Sequence, residues 1–99
     1  MKIGDAIKQI REQKSYNQKE LANLCEISPA YLSQIENNKR QPTIDLIEVI
    51  GHKLGIPVPV ILFLSLNELD ISEEKREFFK LLNPSIMKFI NEIFLLPNN

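Results

Sequence analysis

NQKELANLCEISPAYLSQIENNKRQP, residues 17–42, divides into a short helix, a tight turn, a second helix with small or polar exposed positions, and a polar Asn-Asn-Lys-Arg-Gln-Pro loop. Leu21, Ala22, Leu24 and Cys25 give the first helix an apolar face, and Ala22 is small enough for two helices to cross closely. Ile27 in the turn is an apolar plug between them. Leu32 and Ile35, three residues apart, pin the second helix to a core. The positions between those anchors are open to a ligand. This is the layout of a helix-turn-helix, in which the second helix lies in a DNA major groove.

Outward from this stretch, Ile3, Ala6, Ile7 and Ile10 follow the i, i+3, i+4, i+7 pattern of one buried face, predicting a helix from about Ile3 to Lys14. Asn17 is placed to cap the second helix, with Glu20 as its capping-box partner. Ser28 caps the third, and Pro29 stands at its first position, where an N–H is not needed. Thr43 caps a fourth helix whose Ile44, Ile47, Ile50 and Leu54 form a second stripe. Gly51 lies on that stripe, at a helix-propensity cost of up to ~1 kcal/mol, and Gly55 ends it as a left-handed cap. Residues 56–66 predict a fifth helix, starting near Pro57 or Pro59 and apolar nearly all round. Asn67 to Ile71 read as a connector. An acidic-first helix begins at Ser72 with Glu73 and Glu74, and Phe78, Phe79, Leu81 and Leu82 supply its apolar side. Asn83-Pro84 is expected to break it. Ile86, Met87, Phe89, Ile90, Ile93 and Phe94 form a last helix stopped by Pro97, which makes the tail a helical hairpin. The expected fold is all-α, with a five-helix domain over residues 1–66 and the hairpin over 67–99.

Ninety-nine residues, 43% of them hydrophobic, suit one small domain with its own core. A single cysteine rules out an internal disulfide framework. The charged N-terminus, MKIGDAIKQIREQK, lacks a signal-peptide apolar region. The apolar run from Ile56 to Leu66 contains two prolines and is far short of a ~20-residue membrane span. These features predict a cytoplasmic chain with no membrane association. A net charge of −1 does not itself favour nucleic acid. Residues 1–55, however, carry eight Lys/Arg against seven Asp/Glu, whereas residues 56–99 carry four against six. The negative excess therefore sits in the tail, and Lys19, Lys39 and Arg40 can form a local basic cluster.

Gln18-x-x-Leu21-Ala22, Ser28-x-x-Tyr31-Leu32-Ser33-x-Ile35-Glu36, Lys39-Arg40-x-Pro42 and Leu54-Gly55-Ile56 together resemble the phage repressor and Cro-like (lambda-repressor-like, XRE) regulators. The resemblance covers roughly residues 3–62 and excludes the tail after about residue 66. It implies a five-helix lambda-repressor-like DNA-binding domain with double-stranded DNA as its partner. It also implies that Gln18 contacts a backbone phosphate and braces the recognition helix, and that Arg11 and Glu36 form a salt bridge between helix 1 and the end of helix 3. Asn38 stands where the family commonly has Gly, consistent with a positive φ that Asn tolerates. Gly51 stands where the family usually has Ala.

The expected DNA-binding residues are Gln18, Ser28, Ala30, Tyr31, Ser33, Gln34, Asn38, Lys39 and Arg40. Gln can pair with adenine through two hydrogen bonds, Ala can touch a thymine methyl, and Ser can reach a base edge or phosphate. Lys39 and Arg40 suit phosphate. Taken singly, each could be no more than a solvated helix or loop residue. Cys25 falls on an inner face, where a small apolar residue belongs. His52, the only histidine, has no companion at metal-ligand spacing. No phosphate loop or nucleophile elbow is present. No catalytic residue, cofactor or metal is expected. The expected role is a sequence-specific transcriptional regulator, a repressor acting as a homodimer on a near-palindromic operator, with the greasy fifth helix and the tail joining the subunits. One alternative is an antitoxin or regulator whose apolar tail binds another protein. Another is a protein-interaction module without DNA activity.

Overall fold

The computed structural model describes residues 2–96; Pro97 and the stop expected there lie outside them. The chain folds into α1 (Ile3–Gln13), α2 (Gln18–Leu24), α3 (Pro29–Glu36), α4 (Ile44–Leu54), α5 (Val58–Leu64) and α6 (Arg76–Ile90). Short 3-10 turns at Glu68–Asp70 and Glu73–Lys75 lead into α6, and a π-helical turn, Asn91–Leu95, continues it. There is no strand among the described residues, and the all-α class is as expected.

Local chemistry fixes the starts of α2, α3 and α4 and the end of α4. The Asn17 side chain accepts from the Glu20 N–H, while the Glu20 carboxylate accepts from the Asn17 N–H, completing the capping box on α2. Ser28 accepts from the Tyr31 N–H and Thr43 from the Leu46 N–H, capping α3 and α4. Gly55, at φ +73°, closes α4. Gly51 has a reason beyond propensity: a Cβ there would lie 2.6 Å from the Ile56 carbonyl oxygen, where the chain folds back under α4. Gly4 brings α1 against the end of α3, and a Cβ there would collide with the Ile35 carbonyl.

Ile7, Ile10, Leu21, Leu32, Ile35, Ile47, Ile50 and Ile61 are fully buried in one core. The fifth helix finds its cover in α1 and α4: Ile61 is buried, while Val58, Leu62 and Leu66 stay partly open. The Ser65 carbonyl accepts from the Lys2 N–H, tying the end of α5 to the start of α1. No single helix among the described residues is long and apolar enough to cross a membrane; α4 and α5 are apolar enough only together, and they meet at a 99° bend.

The tail requires a correction. Asn83-Pro84 does not separate two helices of a hairpin; α6 runs unbroken through Pro84 from Arg76 to Ile90. Proline removes one backbone hydrogen bond and strains the preceding turn, at ~3 kcal/mol. Against this, the inward positions Arg76, Phe79, Asn83, Met87, Ile90 and Phe94 recur at helical spacing on both sides of Pro84, and all are at least partly buried. A break would split this continuous face, whose far end reaches the main core through Ile90 and Phe94. Pro84 is itself exposed, so water can satisfy the carbonyl it leaves unpaired. Ile90 and Leu95 join the main core, with Phe94 packed beside them, so the end of the tail docks on the five-helix unit.

Candidate nucleic-acid interface

α3 has two unlike sides. Leu32, Ile35 and Glu36 face inward and are buried, whereas Ala30, Gln34 and Asn37 form an exposed row at i, i+4, i+7, with Ser33 partly open beside it. Pro29 and the Ser28 cap fix where this row begins. Asn37, just past the helix end, was not among the expected contact residues. Its Nδ2 donates to Ser33 Oγ at 3.3 Å, which aims its amide along the same row. The i+7 spacing from Ala30 was the available signal.

Beneath the row lies a buried polar network. Arg11 Nε donates to Glu36 Oε2 at 2.8 Å and Arg11 Nη2 to Glu36 Oε1 at 3.0 Å. Gln18 Nε2 donates to Glu36 Oε1 at 2.9 Å, and Arg11 Nη1 to the Tyr16 carbonyl at 2.8 Å. The Arg11–Glu36 bridge implied by the resemblance is therefore present. So is the brace from Gln18, which ties the start of α2 to the end of α3. The hydrogen bond to Glu36 raises the Arg11 pKa above its ordinary value, opposed by burial and reinforced by the Glu36 charge. Its guanidinium is a permanent cation in this site.

The loop after α3 is pinned at two points. Asn38, at φ +58°, accepts from the Gly4 N–H at 3.2 Å and donates to Asp5 Oδ1 at 2.6 Å. Its amide thus staples the loop to α1, and its backbone N–H is taken by the Ile35 carbonyl. The Arg40 guanidinium lies 5.0 Å from the centre of the Tyr31 ring, within cation–π range. This contact folds the basic loop alongside α3. Tyr31 is half-buried against the core, and Lys39 and Arg40 are exposed. Ser28, Ala30, Gln34, Lys39 and Arg40 are exposed and Ser33 is partly so; Gln18 braces the end of α3, and Asn38 ties the following loop to α1.

Cys25 is buried, and desolvation pushes its thiol pKa up, against a weaker opposite pull from Lys53. Burial of this kind disfavours the thiolate that a nucleophile needs. His52 is exposed in the last turn of α4. Among the described residues no group of His, Cys, Asp and Glu side chains has the arrangement of a metal site.

Residues 7–61 match the sequence profile of a helix-turn-helix family. The chain is 32% identical to the immunity repressor protein of Bacillus phage phi105 over 93 residues, which are 94% of this chain and 62% of the repressor. It therefore spans less than two thirds of that relative's length. The fold is similar to the crystal structure of the biofilm master regulator SinR in complex with DNA, at 38% identity and TM-score 0.58, covering 61% of this chain and 97% of that one. A SinR–SinI complex is similar at 30% identity and TM-score 0.60, covering 87% of this chain and 80% of its counterpart. These relatives are regulators rather than enzymes.

Proposed function

We propose that this chain, which belongs to the helix-turn-helix family of transcription regulators, binds a specific near-palindromic operator as a homodimer and represses transcription from it. The observation that carries this reading is the exposed Ala30–Gln34–Asn37 row on a helix anchored by Leu32 and Ile35, flanked by the Lys39–Arg40 loop. Gln34 and Asn37 read base edges, Ala30 meets a thymine methyl, and Ser28 and Ser33 contact bases or phosphate. Lys39, Arg40 and the start of α2 at Gln18 hold phosphates. Tyr31 sets the position of Arg40, and Asn38 fixes the loop to α1. Residues 1–66 form the DNA-binding unit, and residues 67–99 join the subunits.

One unit of this size covers too little DNA for tight specific binding. Two copies with recognition helices about 34 Å apart fit successive major grooves. The similarity to a regulator crystallised with DNA supports the reading. Selection of bound sequences from a random duplex pool with purified protein tests it: a two-fold consensus is expected. Enrichment of no sequence, together with binding that is insensitive to salt, would refute it. A second reading rests on the similarity to SinR, which forms a complex with SinI, and on the apolar tail: the tail also accepts a regulatory protein. A partner co-purifying with the tail and releasing the operator distinguishes that case.

A further inference from the structure

The inner face of α6 does not account for all its apolar residues. Beside the partly buried stripe, whose end docks on the core through Ile90 and Phe94, Phe78, Leu82, Ile86, Phe89 and Ile93 form a second, exposed row at helical spacing, flanked by Leu81. Phe78 and Phe89 are each 61% exposed, Leu81 72% and Ile93 58%. Leu96, beyond the π-helical turn, is also 52% exposed. Glu77, Lys80, Lys88 and Glu92 are exposed as well and occupy the remaining, polar arc. The apolar arc is thus about twice as wide as one contact requires, and only half of it is covered.

We propose that the open row is covered by the same row of a second copy, α6 lying antiparallel on α6 about a two-fold axis near Ser85 and Ile86. This rests on the homodimer reading above and supplies its interface. Taking about 200 Å² for a phenylalanine side chain and slightly less for leucine or isoleucine, the five residues of the row expose roughly 500 Å² per copy. Paired, they bury about 1,000 Å² of apolar surface, and Leu81 with the flanking polar side chains brings the contact to the lower end of the ~1,200–2,000 Å² of stable specific interfaces. The order of side chains suits antiparallel pairing. With the axis at Ser85–Ile86, each Phe89 meets a Leu82 and each Phe78 an Ile93, so the rings pack on aliphatic groups. Ser85 is small enough for close approach at the crossing. A patch used twice in this way closes the assembly at two copies.

Two variants of the full chain test the pairing. Ser85→Cys places a thiol at the axis, and Lys80→Cys places one on the polar arc; the native Cys25 is buried. A mild oxidant should link Ser85→Cys into a covalent dimer and leave Lys80→Cys monomeric under denaturing electrophoresis. The double variant Leu82→Glu/Phe89→Glu alters only exposed positions, so its helical circular dichroism should match the wild type. Sedimentation at tens of micromolar should show a wild-type dimer and a monomeric variant. A wild-type monomer, a charged variant that still dimerises, or equal crosslinking at both cysteines would overturn the pairing. A chain that dimerises this way yet binds no duplex supports the pairing and refutes the operator reading instead.

Discussion

Replacing Glu36 with Gln tests the scaffold beneath the exposed face of α3. The Glu36 side chain is 1% exposed and that of Arg11 is 9%, so the bond between them is shielded from solvent. Gln retains the size but loses the charge and turns an NH2 towards a partner that only donates. Arg11 then becomes a buried cation whose remaining carboxylate partner, Glu12, lies 3.8 Å away on a side chain 57% exposed. It cannot escape by losing its proton, because a guanidinium stays protonated throughout the accessible pH range. Stranding one partner of a buried pair costs about 3–5 kcal/mol. That is a large share of the ~5–15 kcal/mol available to a small domain. Urea unfolding followed by circular dichroism should show the loss as a lower midpoint at unchanged slope. Adding Arg11→Met to Glu36→Leu removes both charges, and this apolar pair should recover to within about 1–2 kcal/mol of the wild type. A Glu36→Gln loss below about 1 kcal/mol, or a double variant as unstable as the summed single changes, would refute the claim that the charges act as one buried unit.

Gly51→Ala should destabilise by about 1–3 kcal/mol in thermal unfolding, since contact with the Ile56 carbonyl outweighs the ~1 kcal/mol propensity gain; a higher melting temperature would show that α4 can shift. Pro84→Ala should stabilise by about 1–3 kcal/mol, because exposed Pro84 interrupts a helix that forms anyway; a loss would mean that Pro84 shapes the tail in a way an unbroken helix does not explain. Gln34→Ala should lose about 1–3 kcal/mol of discrimination at particular base pairs, whereas Lys39→Ala should weaken all sites alike and flatten the salt dependence; an unchanged Gln34→Ala consensus would contradict that division. Tyr31→Ala and Arg40→Ala should be less than additive in operator affinity, by about 0.5–1 kcal/mol; additivity would mean that the stacked pair does not act together on DNA.

Features written in adjacent residues were legible. Asn17 with Glu20, Ser28 with Pro29, Thr43 and Gly55 each act within one helical turn, and the structure places all of them as their types predict. The anchors Leu32 and Ile35 define the open side of α3 by period alone. The Arg11–Glu36 pair spans 25 residues and came only through the family resemblance. Asn38 shows what periodicity cannot carry. Its amide is committed to Gly4 and Asp5 because α1 starts beside the end of α3, a proximity that only the assembled core creates. At Pro84 a local rule lost to a tertiary one: the breaker is visible in sequence, but the inward stripe continuing beyond it matters more, since that stripe has a surface to cover.

Both long-range polar devices meet at the end of α3. Gln18 and Arg11 converge on Glu36, and the Asn38 staple follows two residues later, so the helix is held at its C-terminal end by α1 and α2. Ser28 and Pro29 fix its other end locally. The residues left over, Ala30, Gln34 and Asn37, sit on a backbone held at both ends; in the proposed operator complex it has little freedom to lose, which would let a short helix discriminate without a large interface. In the proposed dimer, orientation between two such helices falls to α6, whose end docks on the core through Ile90 while its outer row is open to a second copy. A rigid helix of this kind would carry a fixed geometry from one core to the other, which a chain broken at Pro84 could not do.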